Sequence, residues 1–112
     1  MPSALEVQPA KWSDISVLFD NGEYSVISGI YEQRERRLLG ERWNGNDTSP
    51  RGFPNTSGHP VWHVVPDFLE VPVLHAILDE VTAHPMPSSN DSTESVLREL
   101  RRINRESPES RE

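Results

Sequence analysis

Cysteine is absent from this chain of 112 residues, which excludes both a disulfide framework and a thiolate-bound metal site. Long apolar runs are absent as well. None approaches the roughly 20 residues that a bilayer-spanning helix needs. Apolar residues make up 34% of the chain, short of the ~45–50% usual for globular domains even after glycine is counted in. Lysine is nearly missing: one lysine stands beside ten arginines, and the formal charge is −7. There is no Gly-x-Ser-x-Gly elbow and no glycine-rich phosphate loop, so the common signatures of hydrolases and nucleotide enzymes are lacking. The first residues, Met-Pro-Ser-Ala-Leu-Glu-Val, have neither the basic region nor the apolar stretch of a secretory signal. A cytoplasmic protein with one compact domain and flexible ends is therefore expected.

What is present is a dense run of β signals from Ile15 to Trp43. Asn21-Gly22 is the strongest short-range hairpin signal, because both residues tolerate the positive φ of a type I′ turn. Strands are expected at about 14–20, 23–32, 36–43 and 61–65. In the first, Ile15, Val17 and Phe19 point one way and Ser16 and Leu18 the other. The second is apolar on both faces, with Tyr24, Val26 and Ile30 against Ile27 and Tyr31, as a central strand would be. Gly29 marks a bulge or a close backbone approach. Between strands three and four, residues 44–60 form a Gly- and Pro-rich loop of a length usually reserved for function or disorder.

Asp67 and Glu70 have capping-box spacing, and Pro72 predicts one short turn at 67–70 before a helix over 71–83. There Val73, Leu74, Ile77, Leu78 and Val81 make one apolar stripe suited to a face of the sheet, with His75 and Asp79 on the wet side. After a linker at 85–92, Asp91 or Ser92 caps a last helix over 93–104. A tail at 105–112 and an arm at 1–13 complete the reading. The expected fold class is α+β: a four-stranded antiparallel meander packed against one amphipathic helix, with a marginal C-terminal helix.

Three constellations bear on function. His59 and His63 are four apart, but Pro60 and the strand-like Val-Trp-His-Val-Val deny them a shared helical face, and no other ligands converge as zinc requires; no metal and no cofactor are expected. Arg34, Arg36, Arg37, Arg42 and Arg51 cluster within eighteen positions. Arginine forks bind carboxylate or phosphate bidentately and stack on aromatics, although a charge run on a hairpin is more often a solvated face, here balanced by Glu32, Glu35 and Glu41. Tyr24, Tyr31 and Trp43 alternate with these cations, followed by Phe53 and Trp62. Aromatic platforms interleaved with arginine suit sequence-tolerant binding of single strands, while each aromatic taken singly is more often core.

The order of elements, carried by Ile15-Ser-Val-Leu-Phe-Asp-Asn-Gly, Tyr24 to Tyr31 and Trp62 to Val81, resembles the single-stranded-DNA-binding transcriptional coactivators of the positive-cofactor-four type. The resemblance implies a curved sheet, a helix behind it that forms a dimer, and a concave face for single strands. The chain's acidity and its seventeen-residue loop depart from that family's pattern. Two binding functions follow as expectations. One is a non-enzymatic, homodimeric module in which Arg34, Arg36, Arg37 and Arg42 neutralise phosphates of single-stranded nucleic acid while Tyr31 and Trp43 stack bases. The other is an acidic protein-interaction module, an adaptor or inhibitor of phage or plasmid type, that meets a basic protein partner. A small enzyme is the third reading.

Overall fold

The computed structural model of the protein describes residues 12–32, 36–45, 52–56, 59–60 and 62–106. Among them the order of elements is β1 (Trp12–Asp20), β2 (Tyr24–Tyr31), β3 (Leu38–Trp43), β4 (Asn55–Thr56), β5 (His59–Pro60), β6 (His63–Val64), α1 (Asp67–Ala83) and α2 (Ser89–Glu106). Strands β1, β2, β3 and β6 make a four-stranded antiparallel sheet in that order, and β4 and β5 pair as a separate small ribbon. The protein is thus α+β, with the meander expected. Two compact units meet in the sequence at Pro66 and Asp67, the sheet in the first and both helices in the second. The arm at 1–11 and the tail beyond Glu106 lie outside the described residues.

The register fixes the two faces of the sheet. Ile27 stands opposite Val17 and Gly40, and Gly40 opposite Val64. On this face Trp12, Ile27, Leu38 and Trp62 form a buried cluster, flanked by Ile15, Val17, Tyr31 and Val64. The Trp12 indole lies across two glycines. A Cβ on Gly29 would stand 3.1 Å from its Cε3, and one on Gly40 would stand 3.1 Å from its Cη2. Only strands without side chains at those points let so large a ring lie flat on the sheet. The second face carries Val26 opposite Phe19, and Leu39 opposite Ser28, all four buried.

Two irregularities in β1 depart from simple alternation. Extra residues enter between Ser13 and Ser16 and between Val17 and Phe19, each facing a shorter step on β2. Val17 and Phe19 consequently lie on opposite faces, not together as alternation predicts, because a bulge resets the side-chain phase. At the first bulge Asp14 takes φ +51°, a left-handed conformation that aspartate tolerates better than most residues. The Asn21-Gly22 turn also differs from type I′: Gly22 has φ +91°, and Asn21 is not among the positive-φ residues. Asn21 uses its side chain instead, accepting from the Glu23 and Tyr24 N–H groups at 2.9 Å each, so the main chain does not have to invert there.

In the second unit, α1 is continuous from Asp67 and absorbs Pro72. The expected break does not occur. Pro72 lacks an N–H only for the Phe68 carbonyl, and both residues are exposed, where solvent can satisfy that group. Glu70, Leu74, Ile77 and Val81 are buried at steps of four, three and four on α1, and Ser92, Val96, Glu99 and Ile103 repeat that spacing on α2. The two helices pack on each other as a hairpin, the knobs recurring as in coiled coils. Glu99 Oε1 accepts from Arg102 Nε at 3.0 Å and Nη2 at 2.8 Å within the buried stripe. The connection is tied reciprocally: Met86 N–H donates to Ser89 Oγ at 2.7 Å and Ser89 N–H to the Met86 carbonyl at 3.0 Å. This starts α2 at Ser89, four residues before the predicted Thr93. No described helix is long and apolar enough to cross a membrane.

Replacing Trp12 by alanine removes one of the two tryptophans of the first cluster, and a loss of about 3–5 kcal/mol is expected, as for other buried tryptophans. Denaturant unfolding reads it as a lower midpoint at unchanged slope. A loss below about 1 kcal/mol, within the range of ordinary substitutions, would remove Trp12 from its central position.

Candidate interaction surface

The edge-to-face pair Tyr24–Trp43 begins at the mouth of the first hairpin. Tyr24 opens β2 directly opposite Trp43, which closes β3; their rings are 4.8 Å apart at 69°, a favoured quadrupolar arrangement. Beyond Trp43 the chain turns back and Phe53 bridges to it. Trp43 N–H donates to the Phe53 carbonyl at 2.7 Å and Phe53 N–H to the Trp43 carbonyl at 3.0 Å. The return depends on Gly52, at φ +69°, where a Cβ would stand 2.1 Å from the Trp43 oxygen. No other residue fits.

Residues directly opposite in a ladder share a face, so Tyr24, Trp43 and Phe53 form one aromatic row across three neighbouring segments. Trp43 is 56% exposed and Phe53 67% exposed, while Tyr24 is half-buried. The surroundings are acidic. Glu41, two positions along β3 from Trp43, is on the same face with its Oε2 3.5 Å from His63 Nδ1, and Asp20 and the exposed Glu23 flank the adjoining turn.

The arginines and aromatics proposed from the sequence fall elsewhere. Arg37 is bound into the β1 bulge: its Nε donates to Ser28 Oγ at 2.7 Å and its Nη1 to Asp14 Oδ2 at 2.7 Å. Its Nη2 reaches the carbonyls of Asp14 at 2.5 Å and Ser28 at 3.0 Å. Arg36 is half-buried and donates from Nη1 to the Arg37 carbonyl at 3.1 Å. Arg42 is 1% exposed and projects from the face opposite Trp43, with Nη2 3.5 Å from the Pro54 carbonyl; burial pushes its guanidinium below the ordinary arginine range. Tyr31 is half-buried, its ring 5.1 Å from Trp12. Because β2 alternates without a bulge, Tyr31 and Trp43 lie on opposite faces of the sheet. Arg34 is outside the described residues. The sheet therefore does not gather Tyr31, Trp43, Arg37 and Arg42 on one face.

Among the described residues no group of three His, Asp or Glu side chains is arranged to hold a metal. Comparison with family models, curated proteins and solved structures produced no match.

Two measurements check this placement. Acrylamide quenching of tryptophan emission should resolve one accessible component, which Trp43→Phe removes, because Trp12 and Trp62 are 6% and 5% exposed; uniform quenching of all three would contradict it. Arg37→Ala should lower stability by about 2 kcal/mol through its lost charge-assisted bonds. Arg37→Lys should recover only part of that loss, since an ammonium cannot reproduce the planar fork. Unfolding midpoints decide; equal stability of Arg37→Ala and the parent would exclude an anchoring role for Arg37.

Proposed function

We propose that this chain is a non-enzymatic protein-interaction module that presents the Tyr24–Trp43–Phe53 row to a cationic segment of a partner protein. The observation that carries the reading is the exposure of two large aromatics side by side at a sheet end, with Glu41 on the same face and Glu23 exposed at the adjoining turn. Aromatic side chains on fixed backbone are the usual anchors of interfaces. Their faces attract arginine or lysine, and carboxylates alongside add steering without having to be buried. The chain's −7 charge acts in the same direction. An adaptor or inhibitor that covers a basic surface is the class of protein this fits.

The reading with single-stranded nucleic acid as ligand draws on the same Trp43, but two of its proposed phosphate ligands, Arg37 and Arg42, are engaged inside the fold. Backbone neutralisation needs several such cations together.

Tryptophan emission titrations with a short arginine-rich peptide and with an oligothymidine strand separate the two. The peptide should shift Trp43 emission, and Trp43→Ala or Phe53→Ala should weaken its binding by about tenfold or more, as hot-spot residues do. Binding of the oligonucleotide with a steep salt slope, and none of the peptide, would replace the protein partner with nucleic acid.

A further inference from the structure

Two Asn-Gly steps meet at the first hairpin. Asp20 Oδ1 accepts from Gly22 N–H at 2.9 Å and from Asn44 Nδ2 at 3.0 Å, so Asn21-Gly22 and Asn44-Gly45 share one carboxylate. Their environments differ. Asn44 is buried, with Oδ1 accepting from Ser25 Oγ at 2.6 Å, and its side chain is held from both ends. Asn21 and Gly22 are exposed, and a Cβ on Gly22 would meet nothing within 4 Å.

We infer that Asn21-Gly22 is a self-modification site, where the folded turn promotes conversion of the asparagine to aspartate and isoaspartate. The parts of an acyl-transfer site are present in miniature. The Gly22 main-chain nitrogen is the nucleophile, and its proton already points at the Asp20 carboxylate, placed as a general base. The electrophile is Asn21 Cγ. Its oxygen accepts from both Glu23 N–H and Tyr24 N–H at 2.9 Å, an arrangement that stabilises negative charge developing on that oxygen. Attack forms the Gly22 N–Asn21 Cγ bond while Asp20 takes the amide proton. Collapse breaks the Cγ–Nδ2 bond, and the proton passes to the leaving nitrogen, which departs as ammonia. The resulting succinimide adds water at either ring carbonyl. Opening at Cγ gives aspartate, and opening at the main-chain carbonyl gives isoaspartate. The balance is one amide and one water converted to one carboxylate and ammonia, with no redox partner. Glycine at this position matters because a side chain would shield the nucleophile.

The product bears on the aromatic row. It adds a negative charge beside Asp20 and Glu23, and the isoaspartyl form inserts a methylene into the main chain three residues before Tyr24, whose N–H the Asn21 side chain holds.

Peptide mass mapping and isoaspartate detection on the intact chain, incubated at neutral pH folded and in denaturant, test the inference. Modification should concentrate at Asn21 and spare Asn44, and the folded chain should react about tenfold faster than the unfolded one, a modest share of what a positioned base supplies. Asp20→Asn keeps the acceptor oxygen but removes the base. It should slow the folded reaction toward the unfolded rate and leave the unfolded rate unchanged. Slower reaction in the folded parent than in denaturant would overturn the inference by showing that the turn protects Asn21. So would an Asp20→Asn variant that, while folded, reacts as fast as the parent.

Discussion

The contact between one indole and two missing side chains organises the sheet unit. Trp12 lies against Gly29 on β2 and Gly40 on β3, so a single side chain spans β1, β2 and β3 and fixes their spacing on that face. Around it the remaining apolar groups, Ile27, Leu38, Trp62 and the flanking Ile15, Val17, Tyr31 and Val64, complete a cluster that a sheet of this size could not otherwise fill. Chains with few apolar residues need large ones in the right places. Here the burden falls on aromatic area, which carries a large hydrophobic contribution per residue.

A second consequence concerns charge. The chain spends its best cation geometry on itself: Arg37 holds the β1 bulge through Asp14 and Ser28, Arg102 is buried beside Glu99, and Arg42 is almost completely out of water. A guanidinium is weakly hydrated and forks in a plane, which makes it better suited than lysine to such positions. This accounts for arginine, not lysine, at those three positions. It also shifts the balance of the described surface around the hairpin toward its carboxylates, while the hydrophobic surface left exposed there is aromatic.

How much of this was legible in the sequence depends on the element. The meander was, because short β-branched and aromatic runs closed by turn chemistry have few other solutions. The face assignment of β2 was too, since that strand alternates without interruption. Strand β1 was not: Arg37 holds the first of its two bulges through Asp14, and no local pattern marks an inserted residue in either. Trp12 was read as part of an arm for the same reason, being separated from Ile15 by polar Ser13 and Asp14. Pro72 suggested a helix start, but one lost bond on an exposed turn did not outweigh the burial of Leu74, Ile77 and Val81. The aromatic row was not visible. The sequence reading set Trp43 beside Tyr31, whereas the register sets it opposite Tyr24; Phe53 depends on the left-handed Gly52, and composition alone does not distinguish that glycine from the others in the loop.

The polar groups at the hairpin mouth connect these observations. Asp20 binds Gly22 and Asn44, Asn44 binds Ser25 and, through its N–H, the Glu23 carbonyl at 2.7 Å. Tyr24 lies between Glu23 and Ser25 in sequence, and Trp43 directly precedes Asn44. The backbone that carries the two aromatics is therefore held by this network. A hydrogen-bonded network with the Ser25–Asn44 bond buried at its centre specifies one geometry more sharply than apolar contact does, which is what an exposed aromatic anchor requires if it is to meet a partner without first losing conformational freedom.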